Sequence, residues 1–122
     1  MATLKGYTRF KYETDLDNLP DEIESGTLSF GVTMDGDDFM NGETQEIGLS
    51  EESIGLPGDA GSNPIVCIVN LDNDNFVEIG ASGVFHQRID PKEYAVFRVN
   101  GVTLTGKADT AAVNIHKFAW ED

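Results

Sequence analysis

The sequence predicts an all-β protein: a single β-sandwich, jelly-roll-like, with an extended N-terminal arm. Three observations lead there. Apolar residues recur with a period of two in several short runs. Turn residues separate these runs at intervals of roughly eight to twelve residues. No stretch keeps a helical period over three turns. At 122 residues the chain suits one domain whose core holds without metal or disulfide.

Residues 1–25 are set apart as an N-terminal arm or peripheral segment, and residues 26–122 as the sandwich domain. The stretch Asp15-Leu16-Asp17-Asn18-Leu19-Pro20-Asp21-Glu22-Ile23-Glu24 is acidic and lacks a period of two. Pro20 biases Leu19 toward an extended backbone. Tyr7, Phe10 and Tyr12 alternate loosely in the arm, and such side chains need a surface to pack on.

From Thr27 onward the pattern is β. Leu28, Phe30 and Val32 alternate with Ser29, Gly31 and Thr33, and Asp35-Gly36-Asp37 breaks the run. Thr44 to Leu49 is a weaker strand with Ile47 and Leu49 on one face. A connection rich in Gly55, Pro57, Gly58, Gly61 and Pro64 follows. Ile65-Val66-Cys67-Ile68-Val69 is apolar on both faces and too short for a helix, which predicts a central strand. Asp72-Asn73-Asp74-Asn75 is expected to turn the chain back into a partner strand, Phe76 to Ile79. Ser82-Gly83 turns again. Phe85, Gln87 and Ile89 alternate with Val84, His86 and Arg88, and Ala95, Phe97 and Val99 with Tyr94, Val96 and Arg98. Asn100-Gly101 carries a hairpin signal that would return Val102 to Leu104. Ala112 to Trp120 is the closing strand, with Val113 and Ile115 inward and Asn114, His116, Phe118 and Trp120 on the opposite face. Arg98, pointing away from the core, is placed to pair with Glu78 on a neighbouring strand.

Eight basic against 22 acidic residues give a formal charge of −14. Such a surface repels phosphate backbones and anionic lipids, so neither nucleic acid nor membrane is expected as a partner. No apolar run reaches transmembrane length, and the first residues lack the apolar core of a signal peptide. Cys67, alone and with no basic neighbour, reads as an inert thiol.

No catalytic, cofactor-binding or metal-binding residues are assigned. Asp35, Asp37 and Asp38 share one turn and Asp72 and Asp74 another, but the calcium-loop pattern fails: counting from Asp72, position 5 is Phe76 and position 6 is Val77 instead of glycine. His86 and His116 lie thirty residues apart with no zinc spacing, and neither makes a nucleophile signature with Cys67. No glycine-rich turn leads into a helix to cradle phosphate. The chain is therefore expected not to be an enzyme. The interface candidates are His116, Phe118 and Trp120 on the last strand, with Tyr7, Phe10 and Tyr12 of the arm. Large aromatics on an outward face suggest a covered surface; a β-bulge returning them to the core is the alternative.

Several stretches resemble small structural proteins of tailed bacteriophages. They are Asn70-Leu71-Asp72-Asn73-Asp74-Asn75-Phe76-Val77-Glu78-Ile79-Gly80, Phe85-His86-Gln87-Arg88-Ile89, Pro91-Lys92-Glu93-Tyr94-Ala95-Val96-Phe97-Arg98 and Lys107-Ala108-Asp109-Thr110-Ala111-Ala112-Val113. The upstream Gln45-Glu46-Ile47-Gly48-Leu49-Ser50-Glu51-Glu52 and the terminal Glu121-Asp122 fit the same pattern. The resemblance spans Thr44 to Asp122 and leaves out the acidic arm. It implies a virion component without catalytic residues: a capsid decoration (cement) protein or a small tail or neck component, assembled in the host cytoplasm. Its expected partners are other virion proteins, capsid or tail subunits, with the chain itself homo-oligomeric or bound to a lattice. The rival expectation is a carbohydrate- or receptor-binding module at a fibre or tail tip, motivated by the turn acids and Trp120.

Overall fold

The computed structural model describes residues 2–13, 22–34, 39–56 and 60–120. Asp15 to Asp21, the expected turn residues Asp35 to Asp38, Pro57, Gly58 and the terminal Glu121 and Asp122 lie outside the described residues, as do the side chains of Phe10 and Tyr12. The described chain is all-β and forms two compact units, Met1–Met34 and Asp35–Asp122.

The first unit is an antiparallel pair, β1 (Ala2–Glu13) and β2 (Glu22–Met34), running from Ala2 opposite Met34 to Glu13 opposite Glu22. The pairing shifts between Arg9 and Lys11. The strand around Leu28–Val32 therefore belongs with the N-terminal segment, and the division between units falls after Met34, later than Ser25.

The second unit is a β-sandwich of eight strands: β3 (Phe39–Ile47), β4 (Glu52–Ser53), β5 (Ile65–Asn70), β6 (Val77–Ala81), β7 (Val84–Ile89), β8 (Tyr94–Arg98), β9 (Thr105–Ala108) and β10 (Val113–Trp120). One four-stranded sheet has the order β3-β10-β5-β8 and the other β4-β9-β6-β7. All pairings are antiparallel. The pairs nest: β6 with β7, β5 with β8, β4 with β9 and β3 with β10.

Alternation along each strand buries one face. Val66 and Ile68 of β5, Val77 and Ile79 of β6 and Val113 and Ile115 of β10 are at most 1% exposed and meet between the sheets. Each such side chain contributes about 1.5–3 kcal/mol relative to exposure. β5 lies between β10 and β8, the central position its two-faced apolar run predicts. β7 and β8 also alternate as expected, with Phe85, Gln87, Ile89, Ala95, Phe97 and Val99 on their less exposed faces. Ser82 and Gly83 form the two-residue turn between β6 and β7, with φ of 50° and 80°; positive values at both positions match the twist of flanking strands.

Four local expectations change. Leu49 lies beyond the end of β3 and is 55% exposed, whereas Ile47 is buried. The Asp72–Asn75 loop makes no hairpin, because β5 pairs with β10 and β8 while β6 belongs to the other sheet. Asn70 explains the diversion. Its side-chain NH2 donates to Asn75 O (2.9 Å) and Ile89 O (3.0 Å), and its Oδ1 accepts from Asp72 N (2.8 Å). These bonds pull the chain across the sandwich edge. Asn100-Gly101 also crosses between sheets: Val99 N donates to Pro64 O and Gly101 N to Ser62 O, which holds this segment against the approach to β5. Finally, Arg98 and Glu78 lie in different sheets. Arg98 donates to Asn63 O (2.8 Å), and Glu78 stands opposite Arg88 and Lys107.

Candidate functional site

β10 supplies the most distinctive surface. Val113, Ile115, Lys117 and Ala119 point inward, and His116, Phe118 and Trp120 share the outward face, half-buried. The pairing with β3 shifts between Lys117 and Ala119, so a bulge is present. It does not return the aromatics to the core, because alternation along β10 continues through it. Phe118 and Trp120 stack with centroids 6.3 Å apart and planes 15° apart, and His116 meets Phe118 edge-on at 5.0 Å. Both arrangements suit the ring quadrupoles. Gly42 of β3 has a φ of 72°, and a Cβ there would come within 2.6 Å of His116 Nε2 and 2.8 Å of Phe118 Cε1. Glycine thus serves two needs: the bulge conformation and room for rings lying over the strand.

Cross-strand register extends this face. Phe118 stands opposite Cys67, which stands opposite Val96; His116 stands opposite Val69, which stands opposite Tyr94. Val96 is 47% and Tyr94 60% exposed. An apolar face therefore runs from β10 over β5 to β8. Sequence reasoning brought together His116, Phe118 and Trp120 but missed Cys67, Val69, Tyr94 and Val96. The signal was present, since Ile65–Val69 is apolar on both faces and Val96 is apolar on the outward side of its strand. Tyr7 lies on β1 in the other unit and is 70% exposed; the side chains of Phe10 and Tyr12 lie outside the description.

Cys67 is half-buried and free, and burial pushes its thiol pKa up. His116 accepts from or donates to Thr44 Oγ1 at 3.1 Å through Nδ1, and no hydrogen bond joins it to Cys67. His86 is exposed on β7. Asp72 accepts backbone N–H bonds from Asp74 (2.9 Å) and Asn75 (2.6 Å), which hold its carboxyl below the usual carboxylate range. Those contacts make Asp72 the organiser of a turn. Among the described residues no group of three or more His, Cys, Asp or Glu side chains could hold a metal ion.

A buried cation was not anticipated. Lys117, 3% exposed, points between the sheets and donates to Gln45 Oε1 at 2.6 Å. Gln45 also accepts from Gly55 N (3.0 Å) and donates to Ser53 O (2.9 Å). This network ties β3 to β4. Burial lowers the Lys117 pKa, partly opposed by Glu43. Below the lowered folded-state pKa both states hold the proton, and the native state bears a desolvated charge. Between the folded and unfolded values only the unfolded state holds it, so stability rises with pH there. The wild type is expected to gain melting temperature relative to Lys117→Met as pH is raised from about 7 to about 10. Thermal melts of the pair check this; a constant difference would mean that Lys117 is solvated.

No protein-family model, curated protein or solved structure matches this chain.

Proposed function

We propose that this protein is a non-enzymatic structural component of a tailed-phage virion, a capsid decoration protein or a small tail or neck component, that binds other virion proteins. The body is read as a jelly roll. Its support is the nesting of β6–β7 within β5–β8, β4–β9 and β3–β10, the order produced when one long hairpin rolls into two sheets. The resemblance of the Thr44–Asp122 region points the same way.

The observation that carries the reading is the outward apolar face of the β3-β10-β5-β8 sheet. Contiguous apolar patches on an exterior face mark protein–protein surfaces. Stacked aromatics offer large contact area at small conformational cost. Docking of many copies on a repetitive shell would raise attachment well beyond the affinity of one contact.

Phe118→Ala combined with Trp120→Ala tests it. The isolated variant should keep its β circular-dichroism spectrum and fail to co-sediment with particles lacking the protein. Two central aromatics at about 2 kcal/mol each weaken attachment roughly a thousandfold. Unfolding of the variant would assign the rings to the protein's own stability. A folded variant that still attaches would place the surface elsewhere. Absence of the protein from purified particles would end the virion reading.

A further inference from the structure

The two side edges of the sandwich differ. On one, β4 has two residues and β3 carries the pairing shift beside Gly42. Short strands and bulges obstruct strand addition. That edge is also acidic: Glu43, Glu46, Glu51 and Glu52 fall within residues 39–56, which contain no Lys or Arg.

The opposite edge is formed by β7 and β8. β7 carries a pairing shift of its own between Phe85 and Gln87, but β8 lacks these protections. β8 pairs with β5 in one unbroken register. Val84, Tyr94 and Val96 expose 52%, 60% and 47% of their surface there. Arg88 of β7 is ion-paired with Asp90 at 2.6 Å, which leaves Lys92 and Arg98, at the two ends of β8, against Glu93, a positive local balance in a chain of net charge −14.

The backbone of β8 is also placed for pairing. Val99 N donates to Pro64 O, and Asn70 N donates to Glu93 O. Antiparallel alternation from these two bonds turns the N–H and C=O of Ala95 and Phe97 toward β5 and those of Tyr94 and Val96 toward the open side. Between β7 and β8 a cleft of about 470 Å³ opens toward the core, with Ile79, Phe97, Val99 and Leu104 among its lining residues. Gln87 also lines it, and its amide makes no hydrogen bond among the described residues.

From this we infer that the β7/β8 edge accepts an extended strand of a partner polypeptide, alternately apolar and acidic, which pairs with β8 through Tyr94 and Val96. A strand laid beside β8 sends alternate side chains into the cleft and the others onto the outer face. Apolar side chains match the cleft lining. Acidic side chains on the outer face meet the cationic rim, whereas basic ones meet repulsion. Main-chain bonds supply affinity and the alternate pockets specificity. The inference deepens the virion reading by naming the chemistry of the partner segment, and it uses the β8 edge instead of the Phe118–Trp120 rings.

The test titrates two short capped peptides into the full chain, one alternating Val with Glu and one alternating Val with Lys. The Val/Glu peptide is expected to bind, and the Val/Lys peptide roughly tenfold more weakly or worse. Val96→Pro removes an N–H aimed at the open side while sparing the β5 ladder. It should keep the wild-type spectrum and lose binding by about tenfold or more, and Val96→Thr should stay within about threefold. If Val96→Pro does not fold, amide exchange of the wild type decides: the Tyr94 and Val96 amides must become protected when the Val/Glu peptide is added. The inference is overturned by no Val/Glu binding at about 1 mM, equal binding of the Val/Lys peptide, undiminished binding to folded Val96→Pro, or unchanged exchange at those amides. The Phe118→Ala/Trp120→Ala variant should retain peptide binding, so loss of particle attachment and loss of strand addition are read separately.

Discussion

Val66→Asp is expected to yield no folded protein. Val66 is 0% exposed and sits on the central strand, opposite Phe97 of β8 and Ala119 of β10. The substitution removes a fully buried apolar side chain, about 1.5–3 kcal/mol. It also places a carboxylate within the apolar core cluster, which costs several kcal/mol more. Together these approach the whole stability of a small domain, about 5–15 kcal/mol. Ile68→Asp, also at 0% exposure, should destabilise less, because Ile68 stands opposite the buried Lys117 of β10. Soluble yield, circular dichroism and protease resistance check both. A soluble variant with the wild-type melt would mean that β5 is not enclosed between the two sheets.

Asn70→Leu should give the next largest effect. Asn70 is 0% exposed and bonds Asn75 O, Ile89 O and Asp72 N from one side chain. Leucine nearly matches its shape but strands all three backbone groups. At about 1–3 kcal/mol for each group deprived of a partner and of water, three groups sum to roughly 3–9 kcal/mol; only the Ile89 O bond is fully buried and the other two are part-buried, which puts the loss toward the low end. Asn70→Asp should be worse still near neutral pH, since a carboxylate cannot donate to the two carbonyls and would face them as a negative charge. Denaturant melts of the three proteins should rank wild type above Leu above Asp. A Leu variant within about 1 kcal/mol of wild type would show that water or a shifted loop satisfies those groups.

Much of the β architecture was legible because strand alternation is local. The inward and outward residues of β7, β8 and β10 follow from a period of two, and the central place of β5 follows from its two apolar faces. What adjacent residues do not encode is which strand pairs with which. Asp72–Asn75 and Asn100-Gly101 have the composition of hairpin turns, yet both carry the chain from one sheet to the other. The deciding interactions, Asn70 to Ile89 O and Gly101 N to Ser62 O, join residues remote in sequence. The strand at Leu28–Val32 shows the same limit, since its own pattern is silent about its pairing with β1. At the candidate site the aromatic set on β10 could be read from one strand. Its continuation through Cys67, Val69, Val96 and Tyr94 needed cross-strand register, and nothing adjacent to Lys117 in sequence marks it as buried, since its partner Gln45 comes from β3.

The nested pairing bears on how the body is made. β10 lies between β3 and β5, so a ribosome that has released everything up to β9 has still exposed two strands with no neighbour between them. The β6–β7 hairpin can zip early, because its strands are joined by a two-residue turn. The larger sheet closes only when Val113–Trp120 inserts. Such remote closure carries the entropy of the whole intervening loop before any contact repays it, and places folding of the body in the millisecond-to-second range typical of all-β topologies. Until that insertion the edges of β3 and β5 stand open together, which makes a nascent chain stalled short of β10 the species most prone to aggregate.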